Sequence, residues 1–419
     1  MATEEIEIVE RVICVGVETK EVPVTELKES LAELEELVYA AGGEVVASFT
    51  QSLQQFNIAT LMGKGKIEEI CKAIEKTEAS LVVVDHTLKG SQLRNLEEAF
   101  NVKVLDRSQL ILDIFAQRAK TYEGQLQVEL AQMLDQLPRM VGGWLGSLSR
   151  QAGGIGTRGP GESALELDRR RIRNRIEQIQ KKLDLVRKNR SQHRSKRLKS
   201  QIPSFALIGY TNTGKSTLLN LLTHSDVLSK DQVFATLDPT TRKLQLSEGR
   251  TCVVTDTVGF IRKLPTQLIE AFKATLEESE SSDVLLHVID LSSPQMQSQI
   301  DTVNSLVNEL GWSNKPILHV YNKVDLVDLS KQMEATAYPR VLVSAKTGKG
   351  IDLLKEKMIE MLSDSTELIE LYIPLDQEHR LFELMRETNV VKQERGTQGV
   401  ICFARLTPPQ IQKWKEYFV

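Results

Sequence analysis

Residues 204–222 read SFALIGYTNTGKSTLLNLL. A short apolar run of strand type meets a glycine-bearing turn, and the turn opens into leucines at helical spacing. The turn is Gly209-x-x-x-x-Gly214-Lys215-Ser216, a phosphate-binding loop in the context such a loop requires. Its glycines let the backbone N–H groups of Tyr210, Thr211, Asn212 and Thr213 converge on a phosphate, and the helix N-terminus adds its positive end. Lys215 can bridge β- and γ-phosphates, and the Ser216 hydroxyl can ligate Mg²⁺. Asn212 can either brace the loop or help hold a K⁺ ion beside the phosphates. Strand, turn and helix in this order imply an α/β nucleotide-binding domain.

Base selection is written further on. PILHVYNKVD (316–325) is a strand ending in Asn322-Lys323-Val324-Asp325. A carboxylate at Asp325 can accept two hydrogen bonds from the N1–H and 2-amino groups of guanine, an arrangement adenine lacks. The Lys323 stem can cover the base, and Ser344-Ala345-Lys346 in VLVSAKTG (341–348) can meet the guanine O6. Between loop and base pocket, the strand TCVV leads into Asp256-Thr257-Val258-Gly259. Asp256 would hold Mg²⁺ through water, and the Gly259 N–H would sense the γ-phosphate. In Ras-like enzymes a glutamine after that glycine orients the attacking water, whereas here the position is Phe260. A first switch is expected in FATLDPTTRK (234–243), with Thr236, Thr240 and Thr241 equally placed by spacing to close on the metal.

The whole chain has 419 residues, too many for one core, with 41% hydrophobic and 26% charged residues. Its N-terminus, MATEEIEIVERV, is acidic and lacks the layout of a signal peptide, and no apolar run approaches the ~18 residues of a membrane span. Four scattered cysteines without metal-ligand spacing suit a reduced, cytoplasmic compartment. The net charge of −4 hides an asymmetry: residues 169–200 hold 14 Lys or Arg against two acids, or +12, which leaves −16 for the remainder. A basic element on an acidic protein points to a polyanionic partner.

Four segments follow. Residues 1–108 alternate β-rich runs (RVICVGV, EVVASF, LVVVD, KVLD) with helical ones, as expected of a parallel α/β domain. Within it MGKGK (62–66) can hold a phosphate or simply start a helix. Residues 109–200 place Leu126, Leu130, Met133 or Leu134, and Leu137 on one stripe, and Ile172, Ile176, Ile179, Leu183 and Val186 on another, which predicts a coiled-coil helical hairpin. The joining loop, 142–162, holds eight of the 24 glycines with Trp144, Leu145, Leu148 and Ile155, a composition suited to entering folded RNA. Arg150 and Arg158 at this tip and Arg169, Arg170, Arg171 and Arg173 on the following helix are the candidate RNA contacts. Residues 201–365 form the GTP-binding domain and 366–419 a small α+β unit.

With these residues in view, the chain closely resembles the HflX family of translational GTPases over nearly its whole length. AGGIGTRGPGESALELDRRRIR (152–173), GYTNTGKSTLLN, FATLDPTTR and DTVGFIRKLP carry the resemblance. Ser163 and Ala164 depart from it, since family members typically have GETQLE here. The resemblance selects Thr236 as the switch threonine and Mg²⁺ ligand, and implies nucleotide contacts at Gly209–Ser216, at Phe234, Ala235, Thr236, Leu237 and Asp238, at Asp256–Gly259, at Asn322–Asp325 and at Ser344–Lys346. Lys215, Thr236 and Gly259 are then the residues expected to act on the reacting phosphate. It further implies a cytoplasmic monomer that binds GTP and GDP and engages the large ribosomal subunit and its rRNA. Splitting or rescue of stalled ribosomes under stress, with GTP hydrolysis stimulated by the ribosome, is the implied role. A GTP-dependent assembly factor or RNA chaperone is the alternative.

Overall fold

A computed structural model describes residues 9–20, 23–140, 160–199, 202–223, 240–247, 250–263, 280–364, 367–396, 398–406 and 408–419. The glycine-rich tip with Arg150 and Arg158, and the switch residues Phe234 to Asp238, lie outside the described residues. The chain forms two compact units, one holding the described residues up to Lys188 together with Arg262 and Lys263, the other the described residues of 189–261 and 280–419.

In the first unit, β1 (Arg11–Thr19), β2 (Glu44–Leu53), β3 (Leu81–Val84) and β4 (Lys103–Asp106) form a parallel sheet of order β2-β1-β3-β4. The near-continuous apolar run of β1 is buried from Val12 to Val17, as expected of a parallel strand covered on both faces. The intervening helices are α1 (Val24–Ala40), α2 (Lys64–Thr77) and α3 (Gly90–Phe100); α2 turns Ile70 and Ile74 inwards. MGKGK supplies the start of α2: Met62 is buried, and Lys66 pairs with Glu69 at 2.6 Å. Helix α4 (Arg107–Arg118) starts at Asp106, whose carboxylate accepts from the Gln109 N–H while the Gln109 side chain accepts from the Asp106 N–H. That reciprocal pair satisfies two N–H groups at the helix start.

Helix α5 (Tyr122–Arg139) and the 40-residue α6 (Pro160–Lys199) pack through Leu126, Leu130, Ile176, Ile179 and Leu183, flanked by Met133, Leu134, Leu137 and Ile172. Both stripes expected from the sequence therefore meet in one seam, except that Val186, the last residue of the second stripe, is not part of it. Arg175 of α6 reaches Glu129 of α5 at 2.6 Å.

The second unit is built on a six-stranded sheet of order β10-β9-β8-β5-β7-β6. Its strands are β5 (Ser204–Ile208), β6 (Thr240–Ser247), β7 (Arg250–Asp256), β8 (Val284–Asp290), β9 (Ile317–Asn322) and β10 (Arg340–Leu342); only β6 runs antiparallel to its neighbour. Helices α7 (Lys215–Thr223), α8 (Met296–Glu309), α9 (Leu329–Gln332) and α10 (Ile351–Asp364) connect them. The phosphate loop follows β5, the Asp256 segment follows β7, the guanine tetrapeptide ends β9 and extends beyond it, and the Ser344 loop follows β10. All four thus converge on the carboxyl edge of neighbouring strands, where open α/β sheets bind ligands. At the C-terminus, β11 (Glu367–Pro374), β12 (Asn389–Arg395) and β13 (Gly399–Leu406) form an antiparallel sheet of order β11-β13-β12. Helices α11 (Glu378–Glu387) and α12 (Pro408–Trp414) accompany it, with Trp414 in the core. Among the described residues no helix is long and apolar enough to cross a membrane.

Candidate functional site

The phosphate loop needs its two glycines for separate reasons. Gly209 has φ +149, and a Cβ there would stand 2.3 Å from the Val288 carbonyl oxygen. Gly214 has φ +88, and a Cβ there would stand 2.4 Å from Asn322 Nδ2. Asn212 adopts the left-handed region at φ +59, which asparagine tolerates better than most residues. The loop is braced internally by the Thr213 hydroxyl, which donates to the Tyr210 carbonyl at 3.0 Å.

Lys215 is buried, and its Nζ donates to the carbonyls of Tyr210 (2.6 Å) and Gly209 (3.1 Å). Burial lowers its pKa from 10.5 to about 8, with Asp256 opposing the shift. Beside it the Ser216 hydroxyl donates to Asp256 Oδ2 at 2.6 Å. This places a hydroxyl and a buried carboxylate together at the start of α7, the hard oxygen donors that suit Mg²⁺. Among the described residues no cluster of three or more His, Cys, Asp or Glu could form a metal cage. Mg²⁺ takes one or two protein oxygens and completes its shell with phosphate and water. Ser216 would ligate the ion and Asp256 would hold it through water, and its charge would offset that of the phosphates.

Gly259 is pressed against the loop: a Cβ there would lie 2.9 Å from Thr211 Cγ2 and 3.0 Å from Lys215 Nζ. The next residue is bound to the loop on both sides. Phe260 N–H donates to the Gly209 carbonyl at 3.0 Å, and Thr211 N–H donates to the Phe260 carbonyl at 2.8 Å. The Phe260 side chain is buried. Thr257 anchors the segment from behind by donating to the Leu207 carbonyl at 2.6 Å.

At the base end, Asp325 is exposed and a hydrogen bond from Ser344 holds its carboxyl below the usual carboxylate range, helped by Lys346 and Lys323. Asn322, by contrast, is buried and its amide works in both directions: Nδ2 donates to the Thr213 carbonyl at 2.8 Å, and Oδ1 accepts from the Ala345 N–H at 2.9 Å. Its role is to clasp the phosphate loop to the Ser344–Lys346 loop. Lys323 sits at φ +64 with its ammonium 2.7 Å from Asp290 Oδ2, so its stem is fixed by a residue that sequence reading did not single out. The only sequence signal for Asp290 is its place at the end of the strand VLLHVID.

Of the arginines expected to meet RNA, Arg170, Arg171 and Arg173 are exposed on α6 and Arg169 is half-buried. Arg171 is paired with Asp168 at 3.1 Å, an acid just outside the basic run.

Three family models match the chain: "GTP-binding GTPase N-terminal" over residues 28–116, "GTP-binding GTPase Middle Region" over 118–197, and "50S ribosome-binding GTPase" over 204–323. The chain is 47% identical over 380 residues to the GTPase HflX of Caldanaerobacter subterraneus subsp. tengcongensis, covering 91% of this chain and 88% of that protein. With the GTPase HflX of Escherichia coli K12 it shares 45% over 370 residues, 87% of this chain and 86% of the other. A solved structure of a GTP-binding protein from Sulfolobus solfataricus in complex with GDP covers 85% of this chain and 99% of its own, at 25% identity and a TM-score of 0.45. Phosphate loop, hydroxyl–carboxylate pair and guanine tetrapeptide stand together on one sheet edge, and sequence relatives match nearly end to end: the chain belongs to the HflX family of GTPases and is a GTP hydrolase.

Proposed function

We propose that this GTPase binds the large ribosomal subunit and, under control of its nucleotide, splits or rescues stalled ribosomes under stress. The supporting observation is the union of a GTPase segment whose family is described as 50S ribosome-binding with a long helix that exposes Arg170, Arg171 and Arg173. A cationic face of this kind, on which, among the described residues, Arg171 alone of the three pairs with a nearby acid, Asp168, suits the phosphate backbone of ribosomal RNA. The segments 1–108 and 109–200 would form the RNA-facing part, 201–365 the GTP-driven part and 366–419 a small accessory unit, in a cytoplasmic monomer.

Within the site, Lys215 would hold the β- and γ-phosphates, Ser216 and Thr236 would ligate Mg²⁺ with Asp256 holding it through water, and Gly259 would sense the γ-phosphate. Phe260 offers no polar side chain to position water, so the free enzyme has an unfinished active site. Phosphoryl transfer depends mainly on positioning and charge stabilisation, so a ribosomal partner that orders the switches can supply what is missing. Purified large subunits should accelerate single-turnover GTP hydrolysis by at least an order of magnitude, ~1.4 kcal/mol off the barrier. Co-sedimentation with separated subunits should be tighter with a non-hydrolysable GTP analogue than with GDP. A rate that is fast alone and unmoved by subunits would defeat this reading. Conversion of whole ribosomes to subunits distinguishes splitting from an assembly role, in which depletion leaves precursor particles.

Replacing Arg169, Arg170, Arg171 and Arg173 by alanine removes up to four phosphate contacts. Ribosome affinity at physiological salt should fall about tenfold or more, and the slope of log affinity against log salt should flatten by up to about 3. Filter binding across a salt series checks both; an unchanged slope would make the basic face merely solvated. Asn212 is proposed to hold K⁺ beside the phosphates, supplying positive charge there. GTP turnover should then be several-fold faster in K⁺ than in Na⁺ at equal ionic strength, and equal rates would leave Asn212 a brace for the loop.

A further inference from the structure

We propose that Asp290 is a positioning residue for the base: it tethers the Lys323 ammonium so that the aliphatic stem of Lys323 stands ready to cover the face of guanine. The inference rests on the guanine pocket at Asn322–Asp325 and not on the ribosomal reading.

The pair is built differently from ordinary surface pairs of the same unit. Lys331–Glu334 and Lys357–Glu360 join residues three apart in sequence, and in each the acid is 53% exposed. Lys323 Nζ and Asp290 Oδ2 instead meet at 2.7 Å between the ends of two neighbouring strands, with the acid only 14% exposed. Asp290 of β8 is the register partner of Asn322 of β9, and the Leu291 N–H donates to the Asn322 carbonyl at 3.1 Å. The carboxylate is itself immobilised. Its Oδ1 accepts from the Ser292 N–H at 2.9 Å and from the Ser292 hydroxyl at 2.6 Å, which leaves Oδ2 for Lys323. At the other end of the side chain, Lys323 leaves β9 with a left-handed backbone, φ +64, uncommon for a residue other than glycine. Its carbonyl accepts from the Leu326 N–H at 3.0 Å. Backbone and ammonium are both fixed, so the methylenes between them have little freedom left.

A lysine stem offers a purine ring contact with its face and no hydrogen bond to its edge. A lysine free in solvent must surrender rotamer freedom to lie on a base, whereas one already held by Asp290 has done so before the base arrives. Tethering should therefore strengthen binding of any purine that fits the pocket, without regard to the groups on its edge. Selection by the edge stays with Asp325. The two carboxylates thus divide the work, and their loss should leave different signatures.

The test uses the full chain with Mg²⁺ and a fluorescent GDP displaced by unlabelled GDP or IDP, whose hypoxanthine lacks the 2-amino group of guanine. Asp290→Asn keeps an oxygen for Ser292 and removes the charge that holds the ammonium. It should weaken GDP and IDP by the same factor, about threefold to fivefold, the scale of one partly exposed ion pair. Lys323→Met keeps an apolar stem without the ammonium and should also weaken both. In that background Asp290→Asn should have no further effect, whereas a general structural defect at Asp290 would persist. GDP affinity unmoved by Lys323→Met would overturn the pocket itself and the proposal with it. If Lys323→Met weakens GDP, the pocket stands, and three results would still overturn the role of Asp290: no loss in Asp290→Asn, an altered GDP/IDP ratio, or an equal loss in the Lys323→Met background.

Discussion

Replacing Lys215 by alanine should lower the single-turnover rate of GTP hydrolysis by about 10²–10³, the loss expected when one preorganised donor to developing transition-state charge is removed. The side chain is buried and aimed at backbone carbonyls of the loop it serves, so no solvent lysine can replace it. Its lowered pKa adds a signature that a structural defect would not give. Nucleotide phosphates favour the ammonium, so they raise the Lys215 pKa from about 8 in the free protein. Below about pH 8 the ammonium is already formed and affinity is flat. As pH rises through that value, binding must take up a proton, and affinity should fall by up to about tenfold per unit. Titrating GDP from about pH 7 to 10 in the parent and in Lys215→Ala checks this: the alkaline fall should disappear in the variant. An identical fall in both proteins would assign it to another group.

Asp325→Asn should weaken GTP roughly tenfold to a hundredfold, ~1.5–3 kcal/mol for one charge-assisted pairing, and improve xanthosine triphosphate. The amide presents a donor where guanine has its 2-amino donor, whereas xanthine offers a carbonyl there. Ser344, which holds the Asp325 carboxyl in its charged form, can still donate to the amide oxygen, so the loop should keep its shape. Competition among GTP, XTP and ATP measures the shift, and GTP affinity equal to that of the parent would place the base pocket elsewhere.

Much of this site was legible in the sequence because its chemistry is local. Gly209 to Ser216, Asp256 to Gly259 and Asn322 to Asp325 each occupy a few consecutive residues at a strand end, and the strands themselves are apolar runs. The hairpin seam was legible for a similar reason: heptad spacing is a property of each helix alone, and Leu126, Leu130, Ile176, Ile179 and Leu183 do meet. What sequence could not supply were pairings fixed by the tertiary fold. Arg107 reads as an ordinary residue after KVLD, yet it is buried with Asp85 and Glu33 in an ion-paired cluster. Charge run 169–200 looked uncompensated because Glu129, the partner of Arg175, lies on the other helix. Lys323 was assigned to the base by motif, and only the fold shows that Asp290 fixes its ammonium.

Asn322 carries a consequence for how the enzyme senses a whole nucleotide. Its single amide joins Thr213 in the phosphate cradle to Ala345 in the base loop. The two halves of the pocket are therefore linked through one buried side chain, so ordering of one half by guanine would be expected to help order the other. Ordering that has already been done for one fragment need not be done again for the second. Guanosine and pyrophosphate, offered as separate molecules, should thus help one another bind, which calorimetry of each in the presence of the other checks.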